Sequence, residues 1–307
     1  MNFQSKVKKA AKNPLAVAIL LLGFEKFKFI SDKMYISVMY KYYIGKKLNL
    51  ENPRTFNEKL QWLKLYNRKD VYTIMVDKYK VRDYVSKKIG EEHLIPLLGA
   101  WDRVDEIDFD ALPNEFVIKC NHNSGTGMCI CKNKVSLNIE NVKKGLQKGL
   151  RENYYYLGRE WPYKNVKRKI IAEKFMVDES GCELKDYKVL CFNGEPKLIQ
   201  LHQGRFTTHQ SQDYYDMNWN KTDISQGKVA GFGCSDKTVP KPSCFNEMIQ
   251  FSRILSKGIP QVRIDWYIIN DQLYFGEITF FDGCGFDGFD DPNDDVKLGS
   301  WIDLQNL

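Results

Sequence analysis

Four side chains near the C-terminal end of the chain could bind a metal ion and a phosphate group. Arg263 and Asp265 lie two residues apart in one apolar run, and Glu277 and Thr279 lie two residues apart in the next. Because successive side chains of a β-strand point to opposite faces, each pair shares a face if both runs are strands. Mg²⁺ is usually held by one or two carboxylates and keeps its other positions for water and substrate phosphates. The spacing therefore predicts a magnesium site for nucleotide chemistry. A solvated hairpin with ordinary charged faces is the alternative.

A β-hairpin is the element that must bring these four residues together. The runs 262–269 and 272–280 both read as strands, and Asn270-Asp271 between them is typical of a tight turn. Pairing of the two strands would place Asp265 near Glu277, with Arg263 beside them.

A small polar loop, which contains Ser124, Gly125 and Gly127, lies between two predicted strands at 116–120 and 128–131. Such a loop can direct backbone N–H groups at phosphate oxygens. Lys119, at the end of the entering strand, would add a positive charge on the same side. The loop has neither the P-loop spacing nor the glycine pattern of dinucleotide-binding folds, so it is a weak signal by itself.

The predicted strand 169–176 reaches charged residues at Glu173 and Lys174. Its backbone could hydrogen-bond the edge of an adenine ring, and Met176 could pack against that ring. An edge strand with an outward Glu-Lys pair is the commoner arrangement for such a sequence.

The rest of the pattern predicts an α+β protein, with helices first and hairpins with interposed helices afterwards. Thr55 and Glu58 form a capping box for a helix that ends at Tyr66, and Asn193-Gly194 is a strong hairpin-turn signal. Further helices are predicted at 68–86, 138–154 and 245–257, and paired strands at 185–192 and 196–202. The Gly- and Asp-rich tail from Asp282 is expected to be a solvated loop.

Positive charge is concentrated near the N-terminal end. The formal net charge is +7, and residues 1–50 contain ten lysines and two acids, so the remainder of the chain is close to neutral. No basic stripe continues through the body, which argues against a nucleic-acid-binding surface. The apolar run 15–24 is too short to span a bilayer, but a basic, partly apolar helix can lie on anionic lipid. Residues 1–30 are therefore a candidate for peripheral membrane contact, and a helix docked on the protein body is the alternative.

Taken in order, these motifs resemble the TupA-like ATP-grasp family, which is associated with teichuronopeptide and capsular polysaccharide biosynthesis. The resemblance covers roughly residues 50–304. It is carried by Thr55-Phe-Asn-Glu-Lys-Leu-Gln-Trp62, Val76-Asp-Lys-Tyr79, Phe116-Val-Ile-Lys-Cys-Asn-His122, Asp186-Tyr-Lys188 and Tyr274-Phe-Gly-Glu-Ile-Thr-Phe280.

The resemblance implies an ATP-grasp fold, in which two α+β lobes hold the nucleotide between antiparallel sheets after N-terminal helices. The expected division is a basic N-terminal helical segment at 1–50, a helical region at 51–112 and an ATP-grasp domain at 113–304. Within that domain, 113–176 would form the lid lobe and hinge, and 177–304 the metal-site lobe.

The resemblance also implies a role for each site residue. Lys78 and Lys119 would hold the ATP phosphates under a lid formed by Ser124, Gly125 and Gly127. Adenine would lie against Glu173, Lys174 and Met176, and either Asp178 or Glu179 would bind the ribose. Asp265 and Glu277 would bind Mg²⁺, and Arg263 would stabilise the reaction intermediate. Apart from the resemblance, Lys188 and Arg205 lie on or beside the hairpin of the paired strands 185–192 and 196–202, and either could receive a substrate carboxylate. Thr279 stands where many ATP-grasp enzymes have Asn, which puts a second metal ion in doubt.

The activity implied is ATP-dependent ligation of a carboxylate to an amine through an acyl phosphate, with a uronic-acid carboxylate and an amino acid as the expected substrates. The expected location is the cytoplasm, with the inner face of the cell membrane as the alternative. Two alternatives stay open: a glycosyltransferase that uses the Asp108-Phe109-Asp110 motif to hold a metal ion, and a non-catalytic nucleotide-binding scaffold.

Overall fold

The computed structural model describes residues 29–178, 181, 184–204, 210–227, 231, 233–235 and 238–305. Most of the predicted membrane-contact segment, together with Glu179 and Arg205, lies outside these residues. No helix in the described ranges is both long enough and apolar enough to cross a membrane.

Helices come first, as predicted. They are α1 (Asp32–Ile44), α2 (Phe56–Tyr66), α3 (Asp70–Val76) and α4 (Val81–Ile89). The predicted capping box is present at α2, where the Thr55 hydroxyl accepts from Glu58 N and the Glu58 carboxylate accepts from Thr55 N. The prediction of one continuous helix over 68–86 is wrong. Asp77 ends α3, because its carboxylate accepts hydrogen bonds from the backbone N–H groups of Tyr79 and Lys80 and so stabilises a turn.

A four-stranded antiparallel sheet forms the small lobe. Its strands are β1 (Leu97–Trp101), β2 (Phe116–Cys120), β3 (Met128–Cys131) and β4 (Ile170–Lys174), in the order β1-β4-β2-β3. Helix α5 (Ile139–Arg151) packs on it and closes a separate hydrophobic core that includes Phe116, Ile118 and Leu146. β1 lies within the region 51–112 that was expected to be helical, so the sheet of this lobe begins before the predicted boundary at residue 113.

A five-stranded antiparallel sheet forms the large lobe, in the order β7-β6-β5-β8-β9. The strands are β5 (Asp186–Phe192), β6 (Glu195–Gln203), β7 (Ser211–Tyr215), β8 (Gln261–Ile269) and β9 (Gln272–Thr279). A short helix, α6 (Tyr155–Gly158), precedes this sheet. α7 (Phe245–Ser256) packs on one sheet face, where the Trp266 indole donates to the Ser252 hydroxyl at 2.8 Å. α8 (Pro292–Ser300) packs against α2.

Two tight turns fix the register of the large sheet. Asn193 and Gly194 have φ values of 53° and 83°, and Asn270 and Asp271 have φ values of 49° and 61°. Positive φ at both central residues is the signature of the type I′ turn, whose twist matches that of paired strands. The second turn pairs Asp265 with Glu277 and Arg263 with Thr279, which confirms the predicted hairpin.

Candidate active site

The paired strands β8 and β9 gather the four residues singled out in the sequence. Arg263 Nε and Nη2 donate to the two carboxylate oxygens of Asp265 at 2.7 and 2.8 Å. Arg263 Nη2 also lies 3.5 Å from Glu277 Oε1 and 3.3 Å from Thr279 Oγ1. The guanidinium group is therefore the centre of the cluster, held in one orientation by both strands.

Two lysines from other parts of the chain reach the same cluster. Lys78 Nζ lies 3.1 Å from Glu277 Oε2, and Lys188 Nζ lies 4.0 Å from Asp265 Oδ2. Lys188 is opposite Asp265 in the β5–β8 pairing. Lys78 also donates to the carbonyl oxygen of Asn123 at 3.2 Å, so it connects the polar loop of the small lobe to the carboxylates of the large lobe.

The charges around Glu277 decide its ionisation. Burial would raise the pKa of this carboxyl group, but the positive charges of Lys78, Arg263 and Lys188 outweigh burial and hold the pKa far below its usual range. Burial also raises the pKa of Asp265, and the charges of Arg263 and Lys188 offset only part of that rise. Glu277 is thus ionised throughout the physiological pH range.

The carboxylate oxygens of this cluster suit Mg²⁺, which keeps water and phosphate ligands, better than a metal ion that is coordinated by protein side chains alone. Across the ranges that the structure describes, no group of three or more His, Cys, Asp or Glu residues could hold a metal ion. Asp265 and Glu277 supply two hard carboxylates and leave room for water and phosphate oxygens, as Mg²⁺ prefers. The Thr279 hydroxyl already donates to Glu277 Oε1 at 3.3 Å. Arg263 bonds to both oxygens of Asp265, so a metal ion bound to Asp265 would share these oxygens with the guanidinium group.

A cavity of about 220 Å³ lies between the two sheets, next to this cluster. Its apolar lining includes Val117, Ile130, Met176 and Tyr267, and its charged lining includes Lys119, Glu173, Lys174 and Asp186. All three predicted adenine residues, Glu173, Lys174 and Met176, therefore line one cavity with apolar walls on two sides. Such a cavity suits a planar aromatic ring with a charged tail.

Ion pairs set the charge balance of the cavity. Lys119 Nζ lies 2.6 Å from Glu173 Oε2, and Arg82 Nη1 lies 3.4 Å from Glu173 Oε1. Lys119 thus borders the cavity, whereas Lys78 belongs to the Glu277 cluster. Asp178 is buried and lies 2.9 Å from Lys185 Nζ, so the residue proposed to bind ribose already has a cationic partner.

The loop with Ser124, Gly125 and Gly127 is shaped by its glycines. Gly125 and Gly127 have φ values of +87° and +69°, which residues with a side chain rarely adopt. Ser124 is exposed at the tip of the loop. A Cβ atom at Gly127 would lie 3.0 Å from Cys120 Sγ and 3.2 Å from the Gly145 carbonyl oxygen. Gly127 therefore lets the loop pack directly on α5.

Several site residues were not predicted from the sequence. Asp282 accepts a hydrogen bond from Arg263 Nη1, although the tail that it begins was expected to be solvated. Arg82 reaches Glu173 from α4, a contact that no local pattern indicates. His122 is buried, although it follows strand β2 in the polar loop, and its Nε2 lies 3.0 Å from the Glu152 carbonyl oxygen.

Two alternative site elements have ordinary structural roles. Asp108 Oδ1 accepts hydrogen bonds from the backbone N–H groups of Asp110 and Ala111, so the two aspartates lie in an exposed turn whose Phe109 side chain is buried. Tyr214 and Tyr215, two aromatic residues on which a sugar ring could otherwise stack, are each 1% exposed and lie in the core of the large lobe. A ring buried in this way has no free face for stacking.

The model of the family described as TupA-like ATPgrasp matches residues 58–303. The chain belongs to this family. Its two antiparallel sheets with a cavity between them form an ATP-grasp fold, and α1 lies before the matched region.

Solved structures of ligases are similar to the chain at low identity. D-alanine–D-alanine ligase from Bacillus anthracis, complexed with ATP, is 13% identical over 67% of this chain, with a TM-score of 0.38. The chain covers 54% of the length of that ligase. The Helicobacter pylori ligase is 15% identical over 81% of this chain and 69% of its own, with a TM-score of 0.41. None of the curated proteins matches the chain.

Proposed function

We propose that this protein is an ATP- and Mg²⁺-dependent ligase that joins a carboxylate to an amine through an acyl phosphate. The observation that supports it most is the convergence of Lys78, Lys188 and Arg263 on Asp265 and Glu277, at the end of a cavity between two sheets. Membership of an ATP-grasp family supports the same conclusion.

The charge distribution suits the binding of a triphosphate. In the proposed complex the adenine ring occupies the apolar part of the cavity, beside Glu173 and Met176. Lys119 and Lys78 then contact the phosphates, and the N–H groups of the loop at Gly125 and Gly127 cover them. Asp265 and Glu277 would hold Mg²⁺, which would supply neutralisation of the phosphate charge.

Two steps make up the proposed reaction. A carboxylate oxygen of the substrate attacks the γ-phosphorus of ATP, the bond to the β-phosphate oxygen breaks, and ADP leaves. The amine nitrogen then attacks the acyl carbon, the C–N bond forms, and the C–O bond to phosphate breaks. Phosphoryl transfer depends on positioning and charge neutralisation, which Lys188 and Arg263 supply here. Exclusion of water by the loop of the small lobe protects the acyl phosphate from hydrolysis.

The proposed carboxylate is a uronic acid of a cell-surface polysaccharide or of its precursor, and the proposed amine is an amino acid. This substrate class rests on the resemblance to a family associated with polysaccharide biosynthesis. Location in the cytoplasm, with residues 1–30 touching anionic lipid, belongs to the same proposal and rests on the lysines concentrated there.

Hydroxylamine offers a direct test of the acyl phosphate, because it traps activated carboxylates as hydroxamates. We expect the protein with Mg²⁺ and ATP to form ADP and a hydroxamate when given a uronic acid and hydroxylamine, and neither product without the uronic acid. A panel of D-glucuronate, D-galacturonate and their UDP-linked forms samples the proposed class. Transfer of sugar from the UDP-linked forms without ATP consumption would contradict the proposal.

A further inference from the structure

The Glu173 carboxylate, which lines the adenine cavity, lies between two cations from different elements. Lys119 Nζ of β2 lies 2.6 Å from Glu173 Oε2, and Arg82 Nη1 of α4 lies 3.4 Å from Glu173 Oε1. The side chains of Glu173, Arg82 and Lys119 are 10%, 16% and 22% exposed. One largely buried negative charge is therefore shared by two positive charges, which leaves a positive charge in excess.

The two cations approach Glu173 from different cavities. Lys119 lines the adenine cavity together with Glu173, whereas Arg82 lines a second cavity of about 690 Å³. The segment 94–97 lies between the two cavities, because Ile95 lines the adenine cavity and the other three residues line the second. A nucleotide in the adenine cavity can therefore reach Lys119 without displacing Arg82.

Arg82 is positioned by the turn that also carries Lys78. The carboxylate of Asp77 accepts hydrogen bonds from two backbone N–H groups of this turn, and Asn121 Nδ2 donates to the same carboxylate at 2.7 Å. α4 begins directly after the turn, and there the Arg82 backbone N–H donates to a carbonyl oxygen of the turn at 3.3 Å. One short segment thus supplies Lys78 to the metal-site cluster and Arg82 to the edge of the adenine cavity.

Lys119 serves two anions in the proposed reaction. It forms an ion pair with Glu173 in the structure, and in the proposed complex it contacts a phosphate of ATP. Removal of one partner from a largely buried ion pair is strongly unfavourable, because the remaining charge is left without compensation. Transfer of Lys119 to a phosphate is therefore favourable only if Glu173 keeps another cationic partner.

We propose that Arg82 is a positioning residue for ATP binding, which neutralises Glu173 and so frees Lys119 to bind a phosphate. This inference rests on the ligase function proposed above. A guanidinium group suits the role, because it is always charged and its planar donors hold a carboxylate in one orientation. Arg82 itself contacts neither the nucleotide nor the substrates in the proposed complex.

The test measures the dissociation constant of a non-hydrolysable ATP analogue with Mg²⁺ by titration calorimetry, so it needs neither the carboxylate nor the amine substrate. R82M removes the guanidinium charge and keeps an apolar chain. We expect R82M to weaken binding about tenfold or more, because Lys119 then stays on Glu173. K87M, at an exposed lysine of the same helix, is the matched control and should bind the analogue within about twofold of the wild-type protein.

A double-mutant cycle with E173Q distinguishes charge neutralisation from damage to the fold. In the E173Q background no carboxylate holds Lys119, so adding R82M should change the dissociation constant by less than about twofold. An equal loss of affinity in both backgrounds would show that Arg82 acts through packing and would overturn the inference. Unchanged affinity of R82M in the wild-type background would overturn it as well.

Adenosine provides a second comparison, because it has no phosphate and leaves the ion pair of Lys119 and Glu173 in place. We expect R82M and the wild-type protein to bind adenosine equally, as measured by displacement of the analogue, and weaker binding to R82M would count against the inference. Absence of analogue binding by the wild-type protein would instead contradict the proposed function. If R82M does not fold, as judged by its melting temperature, R82Q takes its place in the cycle.

Discussion

At Glu277 burial and three positive charges act in opposite directions on one carboxyl group. Lys78 lies 3.1 Å from one oxygen, and Arg263 lies 3.5 Å from the other. Lys78 comes from a distant part of the chain and Arg263 from the paired strand β8, so the ionised state of Glu277 depends on the assembled fold. A carboxylate with a strongly lowered pKa is well suited to bind a divalent cation, since no proton competes for its oxygens.

We expect E277Q to lower kcat for ATP turnover about 100-fold or more, because an electrostatic contact to the transition state is worth roughly 10²–10³ in rate. The amide also leaves Lys78 without its anionic partner. ADP release under saturating Mg·ATP and substrates measures the effect. The matched control is E195Q, on an exposed ion pair with Arg253 at 2.8 Å, which we expect to be active. Retention of more than half of the wild-type kcat by E277Q would refute its role.

His122 should make the protein less stable in mild acid. Burial lowers the pKa of His122 from 6.5 to about 4, so between these pH values the unfolded state binds more protons than the folded state. The contribution of neutral His122 to the free energy of unfolding is therefore fully present above pH 6.5. It is lost as the pH falls towards 4, by up to ~3 kcal/mol. Urea unfolding of the wild-type protein and H122Q at pH 7.5 and pH 4.5 tests this. Equal losses in the two proteins would show that other groups dominate.

Among the elements, the loop of the small lobe packs closely on helix α5. A Cβ atom at Gly149 would lie 2.7 Å from Cys120 Sγ and 3.1 Å from both Gly127 Cα and the Thr126 carbonyl oxygen. A Cβ atom at Gly145, one turn earlier in α5, would meet nothing within 4 Å. Alanine substitutions at the two glycines therefore distinguish the effect of disturbed loop packing from the effect of helix propensity.

We expect G149A to destabilise the protein by about 1–3 kcal/mol, because it overpacks a closed contact. It should also raise KM for Mg·ATP, since the displaced loop would cover the phosphates less well. G145A should instead be neutral or stabilising by up to ~1 kcal/mol, because Ala favours helix. Melting temperatures and KM values for both variants provide the comparison. Equal behaviour of the two variants would show that the loop does not depend on this contact.

Elements with local signals were predicted well, and those fixed by distant contacts were not. The turns at Asn193-Gly194 and Asn270-Asp271 carry their own conformational preference, so their hairpins were evident from the sequence. The break at Asp77 was missed, because Asp77 is also bound by Asn121, which donates to it at 2.7 Å from another element. Helix α8 was not predicted, because it lies in an acidic run that is typical of a solvated loop. Asp291 nevertheless caps this helix and Pro292 occupies its first turn.

In the whole molecule, two separate hydrophobic cores support two sheets, and the proposed nucleotide site lies between them. The residues predicted for this site come from regions more than 190 positions apart, yet Lys78 and Glu277 are in contact. Their convergence followed from the order of motifs, which only a family resemblance supplies. The contacts of Arg82 and Asp282 depend on how the elements pack and have no sequence signal of their own.

The most direct test of the central claim is a crystal structure with Mn²⁺ and a non-hydrolysable ATP analogue, in which anomalous scattering locates the metal. The account predicts the adenine ring in the cavity beside Glu173 and Met176, and Mn²⁺ within coordination distance of Asp265 and Glu277, ~2.2 Å. Lys78 and Lys119 should both contact the triphosphate. A metal ion bound away from Asp265 and Glu277, or a nucleotide outside the space between the two sheets, would contradict it.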